Sequence, residues 1–225
     1  MTTPRDQKKV DDAFSIMIST AVLQGFTTVV AILVLTRSRN IRLALVKLLL
    51  FFIAVSSLFQ VISRTLYYFA IYNHYEGNPT TALKLFHANA CITVVSMLLF
   101  GLVHWIYPFK LWDLSKRMQL VKEGKTPESS YFAELFFYSG MVVTAIGSCL
   151  YGWNAWFYKS HLAQSLYLDI AFMPQIVAIF LLMDGIRRIN NILKDEPDVL
   201  SNHHAMRLHL FTFCLFGVTL SWMMI

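Results

Sequence analysis

Six long apolar stretches, roughly residues 13–36, 43–72, 85–107, 131–153, 165–185 and 208–225, constrain this chain more than any other feature. A helix needs about 20 consecutive apolar residues to cross the hydrocarbon core of a bilayer. Within lipid each backbone N–H and C=O must be satisfied inside the spanning structure, and stretches of this length meet that demand as helices. The pattern predicts an all-α, polytopic helical bundle of six spans, a single membrane domain over residues 1–225. Charged residues make up only 14% of the 225, where a soluble domain carries about a quarter. The chain reads as an integral, multi-pass membrane protein, and the segments between spans are too short for a separate soluble module.

The formal charge of +6 is informative through its location. Arg37, Arg39 and Arg42 follow span 1. Lys110, Lys116, Arg117, Lys122 and Lys125 follow span 3, and Arg187, Arg188, Lys194 and Arg207 follow span 5. These are twelve of the nineteen basic residues. The opposite side holds Arg5, Lys8, Lys9, Lys84 and Lys159, with Asp6, Asp11 and Asp12 offsetting the first three. Cytoplasmic loops carry the excess of Lys and Arg, so the N-terminus is expected outside. Basic residues this close to the spans suit anionic lipid headgroups rather than nucleic acid. The loops 108–130 and 186–207 are the expected contacts for headgroups and for a cytosolic protein partner. Cys91, Cys149 and Cys214 all fall within spans and read as small buried apolar residues. The polar first dozen residues lead directly into a full span, so no cleavable leader is expected.

The sixth stretch, Leu208 to Ile225, covers about 27 Å at about 1.5 Å per residue, which barely crosses the bilayer. Two readings stay open: six helices are the whole protein, or a seventh is missing from this sequence.

Ionisable and polar residues within spans are functional candidates because their burial is costly. Sorted by depth, Arg64, His87, Asn89 and Asp169 form an outer layer and are candidate ligand-binding residues, with Arg64 and Asp169 an expected ion pair. The plainer alternative is a snorkelling Arg64 and hydrogen bonds that hold the bundle. An inner layer of Lys47, His104, Glu134, Asp184 and Arg187, with Arg188 beside it, is expected to act as a lock between helix ends or as a proton pathway; its alternative is interfacial ion pairing. Only Gln24 and Gln175 fall near the middle, which predicts a nearly apolar midsection and weighs against a pore.

Pro174 frees the carbonyl of Ile170 and is read as a hinge or as a static kink. Gly140, Thr144, Ser148 and Gly152 recur every four residues and form a small-residue face on span 4. Such a face packs closely on a neighbouring helix or on a second subunit, giving an oligomer through span 4. His203, His204 and His209 near span 6, with Asp195, Glu196 and Asp198, read as a solvated loop; no metal and no cofactor is expected. No Walker loop, HExxH or GxSxG occurs, so no enzymatic activity is expected.

Three segments carry a resemblance. Span 2 ends in LFQVISRTLYYF, span 3 in LLFGLVHWIYPFKLWDLSKR, and span 5 leaves through FLLMDGIRRINNIL before MRLHLFTFCLFGV. In this order the chain resembles the plant tobamovirus-multiplication seven-helix proteins and their receptor-like relatives. The matching positions are Arg64, Trp105, Gly185 and Arg187. The chain departs from that pattern in having one Gly where a pair is found and in lacking helix 7. The resemblance implies a receptor-like membrane protein without enzymatic chemistry, and supplies no ligand. The expected role is receptor-like or scaffolding, with an outward-facing polar pocket and basic cytoplasmic loops. A small transporter or channel subunit, and an accessory subunit of a membrane complex, are the alternatives.

Overall fold

The computed structural model describes residues 4–37, 44–126, 131–157 and 160–195. Five helices occupy nearly all of them: α1 Pro4–Arg37, α2 Ala44–Tyr75, α3 Pro79–Lys122, α4 Tyr131–Phe157 and α5 His161–Asp195. All five are long and apolar enough to cross a membrane. The sixth apolar stretch, 208–225, lies outside the described residues, as do His203, His204 and His209.

Three helices run well beyond the apolar stretches. The polar start of the chain is helix from Pro4, because Pro suits a first helical position and Asp6 complements the helix dipole there. Much of the expected loop 108–130 is also helix. α3 continues to Lys122 and has 44 residues, about 66 Å at the helical rise, against a hydrocarbon core of about 30 Å. α5 likewise continues to Asp195. Hydropathy marks where lipid contact ends, whereas Leu, Lys, Arg, Met and Gln sustain a helix in water. Asp113 pairs with Arg117 one turn on at 3.0 Å.

Two Schellman-type ends stop the helices. Gly77 (φ 84°) follows α2 and Gly124 (φ 72°) follows α3, both in the left-handed region that favours glycine. Asn78 N–H then bonds Asn73 O at 2.9 Å, and Lys125 N–H bonds Leu120 O at 2.9 Å. Pro79 opens α3, with the carbonyl of Asn78 accepting from Ala82 N–H at 3.1 Å.

The helices bury small and polar residues and expose large apolar ones. On α1, Ala13, Thr20, Gln24 and Ala31 are buried at spacings of seven, four and seven, the seam of a coiled coil. Phe14, Val22, Phe26 and Val29 are exposed. On α2, Leu49, Ser56, Ser63 and Ala70 are buried at successive sevens. In lipid, apolar side chains gain nothing by facing inward, so small and hydrogen-bonding residues take the contacts.

The chain packs as two compact units, Met1–Val103 with Ala145–Ala171, and His104–Thr144 with Phe172–Ile225. In the first, ring contacts of Phe14 with Tyr68 and of Lys9 with Tyr75 set α1 antiparallel to α2. Tyr67 against Phe86 and Ser56 against Ser96 do the same for α2 and α3. In the second, Trp105, Phe109 and Ala178 form one buried cluster, and Leu111, Leu182 and Ile189 another. The passage between units on α3 lies at His104, four residues before the buried Pro108. On α5 it lies just before Pro174. Each proline removes one rung of the helical ladder there.

Candidate functional site

In the second unit the long extensions of α3 and α5 are joined by a run of polar side chains. Trp112 Nε1 donates to Asp184 Oδ2 at 3.0 Å. The same oxygen accepts Arg188 Nε at 2.8 Å. Arg188 Nη1 donates to Gln119 Oε1 at 2.8 Å, so α5 meets α3 a second time two turns along. Gln119 Nε2 then donates to Glu123 Oε1 at 3.1 Å, and Lys125 Nζ to Glu123 Oε2 at 2.9 Å. Lys116 Nζ caps the run from above, 4.2 Å from the centre of the Trp112 ring.

Glycines permit these approaches. A Cβ at Gly185 would stand 3.3 Å from the Trp112 backbone, at the limit of contact. A Cβ at Gly140 would overlap the Trp105 indole. Trp105 is buried, and its Nε1 donates to Phe137 O at 2.7 Å, fastening α3 to α4. Of the expected inner layer, Asp184 is therefore the centre of a network, but its partners are Trp112 and Arg188. Arg187 is exposed, His104 is buried, and Glu134 is exposed in the first turn of α4. Lys47 belongs to the first unit, near the start of α2.

The four outer candidates all fall in the first unit. Arg64 is half-buried, within electrostatic range of Tyr67 and Tyr151. His87 stacks on Trp156, with ring centroids 4.1 Å apart and an angle of 10°. Asn89 Oδ1 accepts from Ser63 Oγ at 2.7 Å, and Ser63 also meets Thr93 Oγ1 at 2.9 Å. Asp169 is exposed on α5. The expected Arg64–Asp169 ion pair is not among those formed by the described residues, because Asp169 sits on the outward side of its helix while Arg64 lies toward tyrosines.

The midsection of this unit is not apolar. Ser56 and Ser96 exchange hydrogen bonds with each other's carbonyls at 3.1 and 3.0 Å. Thr20 and Gln24 on α1 and Gln60 on α2 are also buried, near the middle of their helices. Thr20 Oγ1, Gln24 Oε1 and Gln60 Nε2 have no hydrogen-bond partner among the described residues. Gln175, in the second unit, is buried with Oε1 in the same condition. The charge-based reading missed Gln60 and the serines; the seven-residue spacing of Ser56 and Ser63 on α2, with Gln60 between them on the same face, was the available signal.

The small-residue face of α4 is turned inward along its length. Thr144 and Ser148 are buried. In the first unit a Cβ at Gly152 would overlap Val94 of α3, and one at Gly147 would meet the Ala171 backbone of α5. The face is occupied by neighbouring helices of this chain. Pro174 is buried within α5, which continues through it as one helix. No group of three His, Cys, Asp or Glu converges as a metal site among the described residues.

No family model, curated protein or solved structure matches this chain.

Proposed function

We propose that the protein is a receptor-like multi-pass membrane protein, without enzymatic chemistry, whose α3–α5 polar run is a lock on the cytoplasmic side. The observation that supports this reading is the double tie between α3 and α5: Trp112 to Asp184, and Arg188 to Gln119. A network of charge-assisted bonds between helix ends has two states, made and broken, and a ligand that prefers either one shifts the balance. Exposed Lys116, Arg117, Lys122 and Arg187 surround the lock and suit anionic headgroups or an acidic cytosolic partner. The outer residues Arg64, His87 and Asn89 are the candidate ligand contacts, and the resemblance through Arg64, Trp105, Gly185 and Arg187 agrees with this class.

The test places spin labels at exposed Leu114 and Asn191 and compares the parent with Asp184→Asn and Arg188→Gln. A wider or bimodal distance distribution in the variants supports a lock; identical distributions overturn it. Reporter tags on the N-terminus must read outside, and a cytosolic reading removes the receptor-like orientation.

A second reading, passage of a small polar solute, is favoured by the buried polar side chains at the middle of α1 and α2. Solute-driven swelling of proteoliposomes above the empty-vesicle rate supports it, and equal rates remove it.

A further inference from the structure

We infer that Thr20, Gln24 and Gln60 form an internal water-binding site at the middle of the membrane, between α1 and α2. The depth follows from the spans. Thr20 and Gln24 flank the midpoint of Asp6–Thr36, and Gln60 lies at the middle of Lys47–Tyr75. The register follows from two contacts. Phe14 meets Tyr68, and Lys9 meets Tyr75, on antiparallel helices. Moving inward along both helices from those pairs brings Thr20 level with Ser63 and Gln24 level with Gln60.

The chemistry of the three groups identifies the occupant. Each side chain is more than nine-tenths buried. Gln24 offers an acceptor, Gln60 a donor, and Thr20 a hydroxyl that serves as either. A buried polar atom left unmade is expensive in lipid, where no bulk water reaches it. One small molecule that both donates and accepts satisfies all three, and two to four polar partners are what a buried water requires. The set carries no charge and includes a donor amide, which disfavours a cation. The Ser56–Ser96 and Ser63–Asn89 pairs on either side are already satisfied by each other. The three atoms at this level are therefore the ones left for water. Burial, register and the three unsatisfied atoms carry this site independently of the receptor-like reading and of orientation.

Radiolytic hydroxyl-radical labelling of the full chain in nanodiscs tests it, because radicals born from bound water oxidise the side chains beside it. Gln60→Met puts a reactive thioether of similar length at the site, and Ile62→Met puts one on the exposed, lipid-facing side of the same helix. Water at the site makes position 60 label several-fold faster than position 62 despite its burial. Adding Gln24→Leu to Gln60→Met then slows labelling at 60. Where Gln60→Met does not fold, Gln24→Met against Val22→Met makes the same comparison. Labelling at 60 (or 24) no faster than at its lipid-facing control overturns the inference. That is the result expected if the two glutamines bond directly or pair with another part of the chain.

Discussion

Trp112 and Asp184 are joined by a single hydrogen bond, indole Nε1 to carboxylate Oδ2 at 3.0 Å, which ties α3 to α5 where Gly185 lets the backbones close. Asp184→Asn keeps the shape and removes the charge that Arg188 faces. Asp184 and Arg188 are both partly exposed and one turn apart on α5, so the ion pair itself contributes about 0.3–0.5 kcal/mol. Trp112→Phe keeps the ring under Lys116 and removes the donor, at about 1 kcal/mol. The double variant is expected to lose less than the sum of the two, measured by reversible unfolding in mild detergent.

Gly140→Ala places a methyl group inside the Trp105 indole. Trp105 is held by its bond to Phe137 O and by its buried neighbours, so it has little room to yield. Overpacking of this kind is expected to destabilise by about 1–3 kcal/mol. Gly25→Ala is the control: nothing lies within 4 Å of its Cβ, and α1 gains helix propensity there. It is expected to be stabilising by about 0.5–1 kcal/mol. Melting temperatures of the two variants must move in opposite directions.

Ser56 and Ser96 are exchanged as a pair through their hydroxyls and carbonyls. Interhelical bonds of this type within membranes average about 0.6 kcal/mol, so either serine to alanine is a mild change. Ser56→Leu is a different matter, since the site is fully buried and overpacking adds about 1–3 kcal/mol. A double-mutant cycle on the alanine variants, with the leucine variant alongside, checks both magnitudes.

The cap after α3 is pH-dependent at both ends of the scale. Hydrogen bonds from Lys125 and Gln119 hold the Glu123 carboxyl below its ordinary value, and Glu123 holds Lys125 above its own. The carboxylate contribution is present above the ordinary Glu value and is lost as pH falls through the lower, folded one. The ammonium contribution is present below the ordinary Lys value and is lost as pH rises through the higher, folded one. Amide protection at 119–126, taken relative to the intrinsic exchange rate at each pH, is expected to fall at both extremes and in high salt, because both groups are exposed to solvent. Protection that is flat across the range contradicts the assignment.

Five of the six apolar stretches recur as helices long and apolar enough to cross a membrane, and they were legible because hydropathy is a local sum: each stretch reports its own preference for lipid regardless of its neighbours. Asp184 was legible as a candidate because charge in or near a span is rare. Its partner Trp112, and Gln119 that Arg188 reaches, were not, since both are distant in sequence and only the helical extension of α3 to Lys122 brings them level with α5. Arg64 and Asp169 were paired on depth alone, and depth does not say which way around a helix a side chain points. Thr20, Gln60 and the serines of α2 were hidden for the same reason, although Gln24 stood out by its depth. In water a buried helix face differs from an exposed one by being apolar, so sequence periodicity reveals it. In lipid both faces accept apolar residues. The inside is then decided by where small and hydrogen-bonding groups meet across helices, and that relation exists only once the helices have packed.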